Sequence, residues 1–312
     1  MLRIRLVIRT QVSSSGSLAV WMHHLRSLEV VKWEDNFYSG KALKMEAGVL
    51  VHEAVSFAIT HNLLVVTGNG PTVGIAGGYT LGGGHSSLSS RYGLSTDRAL
   101  EYEVIDGNGQ YFISNREENR DLYWALSRGG GSSYGVVVST TVKAGSEVPI
   151  KLGTLKFSSE GIEEVDFIGT IEAFHATLSA LVDTGCQPLY SFYRGGFDLS
   201  ALSAPGLTLA QIDGLLGPFL THLKSLNIIF EKRNIPFLTY GGFFNAKGGA
   251  NAVYGGSWFI PRSLAIGTRS RELDEVSFKI QDQGAIQLFM AFNLSEFGKT
   301  LRTQSMKGGG EC

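Results

Sequence analysis

The sequence predicts an α+β chain in two parts: an α/β domain over residues 1–144 and, over 145–312, an antiparallel sheet covered by helices. Three observations carry this. Short β-type runs alternate with one-faced helical patterns in the first part. A stretch in which nine of 26 positions are glycine, Gly68 to Gly93, opens at the end of one such run, Leu63 to Thr67, where α/β folds place ligands. Past Ala144 the pattern changes: helical faces interleave with strand-type runs and no second glycine cradle appears.

Taken in order, Leu2 to Ile8 alternates apolar and basic residues as a strand does, and Ser13 to Gly16 ends it. Leu18 to Trp21 and Leu28 to Trp33 read as further short strands, with His23 and His24 between them. Neighbours on a strand point to opposite faces, so these histidines make a poor metal pair and are expected to be structural. Apolar residues at 51, 54, 55, 58 and 59 line one face of a helix that leads into the Leu63 to Thr67 strand. Asp106-Gly-Asn-Gly109 joins the runs Ala99 to Ile105 and Tyr111 to Ser114 as a hairpin. Asn115-x-x-Glu118 is expected to box the start of a helix running to about Ser127, which Gly129 to Gly131 stop. In the second part, strands near 151–157, 188–194, 227–231 and 286–294 alternate with helices over 162–181 and 209–226 and near Arg271 to Gln281. Thr208-x-x-Gln211 opens the second helix. A sheet covered in this way suits one wall of a substrate site.

The glycine stretch carries the functional signal. Glycine loses the most backbone freedom on folding, so a run of it needs a compensating gain. Close approach of bare backbone N–H groups to a phosphate-bearing cofactor is one such gain; loop packing alone is the other reading. Gly68-x-Gly70-x-x-x-Gly74 imitates a dinucleotide fingerprint, but Pro71 and the later glycine clusters keep the segment from opening a helix, so a Rossmann site is not expected. Gly131-Ser132-Ser133-Tyr134-Gly135 has the spacing of a hydrolase nucleophile elbow in reversed context, with a helix before it and the β-branched run Val136 to Val142 after it. The serine there is expected to be structural.

Composition excludes several classes. The 312 residues, 43% hydrophobic and 18% charged, suffice for real cores, and a net charge of -1 gives no footprint for nucleic acid or an anionic membrane. No apolar window of about 20 residues is present to span a bilayer. Cys186 and Cys312 make no disulfide framework and no zinc site. Arginines at 3, 5 and 9 interrupt the apolar N-terminus, so a secretory signal is not expected there.

Pro71-Thr72-Val73-Gly74, Gly77-Gly78-Tyr79, Gly82-Gly83-Gly84, Arg91-Tyr-Gly-Leu-x-x-Asp97 and Glu118-Asn-x-Asp-Leu-x-Trp-Ala125, leading into Gly129 through Gly135, occur in one order. Together they resemble the PCMH-type FAD-binding domain of berberine-bridge-enzyme-like oxidases, within the vanillyl-alcohol-oxidase flavoproteins. The likeness runs from about Ser15 to Val142 and continues less sharply through Ile260-Pro-Arg-Ser263 and Ala291-Phe-Asn293. It implies FAD, a hydride taken from a C–H of a small alcohol, sugar or secondary metabolite, and electrons passed to oxygen, without a metal. It also implies that Pro71, Thr72, Val73, Gly74, Gly77, Gly78, Tyr79, Gly82, Gly83, Gly84 and Asp97 hold the cofactor, with Gly135 and Val136 near its adenine end. Family members are often secreted, and the compartment of this chain stays open.

The departures from that pattern shape a second set of expectations. Relatives carry an early Arg-x-x-Gly-His segment whose histidine bonds to the flavin; here Arg9-Thr10 runs into Gln11, Val12 and serines. Relatives also place a cysteine before Pro-Thr-Val-Gly, where this chain has Gly70. Any FAD is therefore expected to be non-covalent. The Met306 to Cys312 end lacks the family's tyrosine-rich return, so the chain is expected to be cut at both ends, with an inactive paralogue as the competing function. Alcohol oxidation needs a general base. Tyr190, Tyr193 and Tyr240 lie on expected strands of the second part, but tyrosines so placed are mostly core residues, and none is assigned.

Overall fold

The computed structural model describes residues 20–127, 129–131, 134–247, 260–266, 270–282 and 287–294. The expected strand at Leu2 to Ile8, the first half of that at Leu18 to Trp21, Ser132, Ser133 and the Met306 to Cys312 tail lie outside them. The described chain falls into two compact units, one of 20–86 and Leu94–Glu147, the other of Ser87–Gly93 and 148–294. The change of unit after Glu147 lies close to Ala144, and Ser87–Gly93 joins the second unit as well. Within that unit Arg91 Nη1 donates to the Pro205 carbonyl at 2.6 Å, and the Asn293 N–H donates to Ser90 Oγ at 3.3 Å.

In the first unit β1 (Leu28–Glu34) turns back antiparallel into β2 (Ser39–Glu46). Asp35 makes the turn: its carboxylate accepts from the Phe37 and Tyr38 N–H groups at 2.7 and 2.6 Å and from Trp33 Nε1 at 2.9 Å. Helix α1 (Val51–Thr60) buries Val51, Ala54, Val55 and Ala58, the face its periodicity marks. Strand β3 is assigned over Leu63–Leu64 alone; Val65 to Thr67 are buried outside the ladder. The chain leaves the first unit for α2 (Ser89–Tyr92), which belongs to the second, and returns with α3 (Ser95–Arg98) ahead of β4 (Ala99–Ile105), which pairs with β5 (Tyr111–Asn115) through the Asp106 turn. Helix α4 is Arg120–Leu126, shorter than expected. Asn115 Oδ1 accepts from the N–H groups of Glu117 and Glu118, so it closes a tight turn ahead of the helix and does not box its start. Strand β6 (Val136–Lys143) sits centrally in the order β1-β2-β6-β4-β5, and β7 (Gly145–Ser146) pairs with β3.

The second unit has its own sheet. Its elements are β8 (Ile150–Ser158), α5 (Glu164–Asp183), β9 (Gln187–Tyr193), β10 (Gly196–Pro205), α6 (Leu209–Ser225), β11 (Phe230–Phe237), α7 (Tyr240–Lys247), α8 (Arg262–Ala265), α9 (Ser270–Gln281) and β12 (Phe289–Met290). Strands run antiparallel in the order β11-β8-β10-β9-β12. Phe157, Leu199, Tyr190 and Phe197 from the sheet pack with Phe174 of α5 and Phe219 of α6. Phe174 meets the Tyr190, Phe197 and Phe219 rings at centroid distances of 4.9, 4.7 and 5.2 Å. Removing such a ring costs about 3–5 kcal/mol, so this cluster holds the layer together. Thr154, Lys156, Asp198, Ser200, Glu231 and Arg233 line a shallow depression of about 300 Å³ on the sheet.

Candidate cofactor site

The glycine stretch is tied first to helix α1. A helix leaves its first N–H groups without intrahelical partners. Here the Val51 N–H donates to the Val73 carbonyl at 2.9 Å and the His52 N–H to the Pro71 carbonyl at 3.0 Å, while the Ile75 N–H returns to Val49 at 3.1 Å. The carbonyls of Pro71 and Val73 thus face the helix, and the Thr72 and Val73 side chains are left exposed. From Gly74 the chain enters a helical turn, Ile75–Tyr79, kinked at Gly77. Two buried hydroxyls pin that turn. Thr80 Oγ1 donates to the Ile75 carbonyl at 2.6 Å and lies 2.9 Å from Ser95 Oγ, and Thr140 Oγ1 of β6 donates to the Ala76 carbonyl at 2.9 Å.

The glycines divide by duty. Gly82 and Gly83 use their N–H groups internally, on Gly78 at 3.1 Å and Thr80 at 3.0 Å, and the Gly83 and Gly84 carbonyls accept from Thr96 and Ser95. Gly83 and Gly84 take φ of 102° and 71°, which side-chain-bearing residues rarely adopt. A Cβ on Gly84 would lie 2.7 Å from Ser95 Cβ and 2.9 Å from the Tyr79 ring. That ring also presses on Gly68, and the Tyr79 hydroxyl donates to the His85 carbonyl at 2.8 Å, so Tyr79 packs the loop. Asp97 accepts from the Leu94 N–H at 2.9 Å and caps α3. Gly135 lets β6 begin beside Val104 and Ile105, whose atoms a Cβ would meet at 2.7 and 2.8 Å, and Val136 pairs with Ile105. These residues shape the loop and the strand end.

Gly77 and Gly78 differ. A Cβ on either would meet no atom of the described residues within 4 Å, so packing among those residues gives no reason for glycine there. The loop Gly129 to Gly131 comes to the same place: a Cβ on Gly131 would lie 3.2 Å from Gly78 Cα, and the Gly130 N–H donates to the Leu81 carbonyl at 3.1 Å. In the sequence Gly129 to Gly131 reads as a helix stop leading into Gly135, and its meeting with Gly78 is not visible there; a third glycine cluster after a helix was the available signal. The open ledge of Gly77, Gly78 and Gly131, bare of side chains, fits a phosphate-bearing cofactor that needs close backbone approach.

Other candidates are settled by burial. Tyr190 and Tyr240 are 4% and 2% exposed, and burial raises the Tyr190 hydroxyl far above the ordinary tyrosine range, so neither is placed to act as a base. Tyr193 is 50% exposed at the end of β9. Cys186 is buried, and burial pushes its thiol up to about 11, which removes its nucleophilic character. His23 and His24 lie in an exposed turn and not on a strand, and both rings pack on Trp21, at 5.3 and 4.9 Å, so they do not face opposite sides. Among the described residues no three His, Cys, Asp or Glu side chains gather as metal ligands.

Comparison with known proteins gives the family. The family model described as "FAD binding domain" matches residues 6–114. The FAD-linked oxidoreductase ZEB1 of Gibberella zeae is 36% identical over 96% of this chain and 55% of its own length. The FAD-linked oxidoreductase sthB of Phaeosphaeria nodorum is 37% identical over 75% of this chain and 77% of its own. The crystal structure of the VAO-type flavoprotein MtVAO615 from Myceliophthora thermophila superimposes with a TM-score of 0.79 at 34% identity, covering 88% of this chain and 52% of that one. The chain spans about half the length of ZEB1 and of MtVAO615. A glycine ledge pinned to a PCMH-type α+β unit and identity of this extent lead to one conclusion: the chain belongs to the FAD-linked oxidoreductases, flavoproteins of the VAO type.

Proposed function

We propose that this chain is an FAD-dependent oxidase that binds its flavin non-covalently and takes a hydride from a C–H of a small alcohol, sugar or secondary metabolite, with oxygen as the final acceptor. The observation that carries the reading is the pair Gly77 and Gly78, glycines where an added Cβ would meet none of the described residues, set against Gly131. Bound FAD supplies a two-electron acceptor for the C–H bond. The residues of this chain do the rest. Gly77, Gly78 and Gly131 admit the cofactor's backbone, Pro71, Thr72, Val73, Gly74 and Gly82 border it, and Thr80, Thr140, Gly83, Gly84, Tyr79 and Asp97 hold the ledge in shape. Gly135 and Val136 take the adenine end. Residues 1–144 act as the flavin domain and 145–312 as the substrate domain, where the depression at Asp198 and Lys156 receives the substrate. Non-covalent binding is supported by Gly70, which has no side chain to bond, and by the buried thiol of Cys186.

The test is anaerobic mixing of the FAD-loaded chain with panels of alcohols, sugars and phenolic metabolites. Bleaching of the flavin band near ~450 nm, followed by its return on admitting air, is the expected result. A loaded flavin that no panel member reduces would refute the oxidase reading, and reduction without return in air would refute oxygen as acceptor.

A further inference from the structure

Arg91, Arg262 and Asn293 stand in three sequence motifs and have no part in the flavin reading; all three lie in the second unit. Asp183, the last residue of α5, gathers two of them. Its Oδ1 accepts from Arg262 Nη2 at 2.6 Å and from Asn293 Nδ2 at 2.8 Å, and its Oδ2 accepts from Arg262 Nη1 at 3.2 Å. The Asn293 N–H in turn donates to Ser90 Oγ at 3.3 Å, while Arg91 Nη1 donates to the Pro205 carbonyl at 2.6 Å. Two glycines leave room for that arginine: a Cβ on Gly206 would lie 2.3 Å from Nη1, and one on Gly185 would lie 3.2 Å from Arg91 Cβ. The Ser87–Gly93 segment is thus seated by groups remote from it in sequence.

The chain re-enters the first unit at Leu94, and the next two residues hold both walls of the glycine ledge. Ser95 and Thr96 are buried, and their N–H groups donate to the Gly84 and Gly83 carbonyls at 2.8 and 3.0 Å. Ser95 Oγ lies 2.9 Å from Thr80 Oγ1, which bonds the Ile75 carbonyl at the start of the turn carrying Gly77 and Gly78. Thr96 Oγ1 donates to the Ser127 carbonyl, just ahead of Gly129 to Gly131. Only Tyr92, Gly93 and Leu94 separate Arg91 from this pair, a link too short for one end to move freely of the other.

We propose that Arg91, with Asn293, Asp183 and Arg262 behind it, anchors Ser95 and Thr96, and that these four are positioning residues for the cofactor: loosening the anchor loosens both walls of the ledge at once. Their effect on the cofactor rests on the flavin reading; the anchor does not. The test uses the full chain. Without FAD, amide exchange read by NMR is expected to speed up about tenfold at Ser95 and Thr96 in Arg91→Ala. It should return towards the parent rate in Arg91→Lys, which keeps a donor for the Pro205 carbonyl, and the β1–β2 and β8–β10 ladders should exchange as in the parent. Unchanged exchange at Ser95 and Thr96 would overturn the anchor. If Arg91→Ala also loses protection in the β8–β10 ladder, Ser90→Ala, which removes only the acceptor of the Asn293 N–H, takes its place under the same criterion. With FAD, fluorescence titration is expected to give about tenfold weaker binding by Arg91→Ala and near-parent binding by Arg91→Lys. Equal affinity in the parent and Arg91→Ala would overturn the positioning role. A parent that binds no FAD would refute the flavin reading alone, and exchange at Ser95 and Thr96 would still decide the anchor.

Discussion

Single glycines in one stretch do different work, and the neighbour beside each Cα decides which. At Gly84 a side chain meets Ser95 and Tyr79 and is forced into a left-handed backbone, which alone costs about 1–2 kcal/mol. Gly84→Val is therefore expected to lower the melting temperature of the flavin-free chain by several degrees. Gly78→Val, which enters open space, is expected to leave it within about 1 °C. Equal losses in the two variants, measured by calorimetry without FAD, would contradict the division of duties. Glycine richness was legible in the sequence, but the division was not, since Gly77-Gly78 and Gly82-Gly83-Gly84 look alike until the chain brings Tyr79, Ser95 and Gly131 beside them.

At the level of elements, α6 and α1 were readable because their apolar spacing and, for α6, the Thr208 and Gln211 box are local; Thr208 does bond the Gln211 N–H, at 3.3 Å. Thr208→Ala is expected to cost about 1 kcal/mol, seen as a lower urea midpoint. Strand β10 escaped because a bulge between Leu199 and Leu202 breaks its alternation, and α7 because two glycines dilute its pattern. A buried pair joins α5 to α9: His175 Nδ1 lies 3.5 Å from Asp274 Oδ1. Burial, with Glu172 nearby, pushes Asp274 up to about 7, and burial pushes His175 down to about 4. The raised Asp274 loses its stabilisation as pH rises from 3.8 through about 7. The lowered His175 loses its own as pH falls from 6.5 through about 4. Over the shared window the slopes oppose, because folding moves one proton from histidine to aspartate, so the parent chain is expected to be nearly flat there. Asp274→Asn should then lose stability as pH falls from 6.5, and His175→Leu as pH rises towards about 7, each by at most about 1.4 kcal/mol per pH unit. Urea midpoints across this range check both signs, and parallel slopes in the two variants would contradict them.

At the scale of the whole chain, the two units have separate sheets and cores, and on the proposed reading a flavin held by the first stabilises that unit by mass action. FAD at about 100 times its dissociation constant contributes about 2.7 kcal/mol, so the first melting transition should rise on adding FAD. The mixture of helices and strands was legible in the sequence, but alternation pointed to an α/β first part, whereas its five-stranded sheet pairs antiparallel throughout; the crossing of Ser87–Gly93 into the second unit was not legible either, because nothing in those seven residues announces the Arg91 bond to Pro205. The central claim is that Gly77, Gly78 and Gly131 form a ledge for FAD held without a covalent bond. Its most direct test is the flavin bound per chain after saturation with FAD and gel filtration, for the parent and for Gly78→Val, followed by acid precipitation. The account predicts about one FAD in the parent, released wholly into the acid supernatant, and little in the variant; equal flavin in both proteins, or yellow colour fixed in the washed pellet, would contradict it.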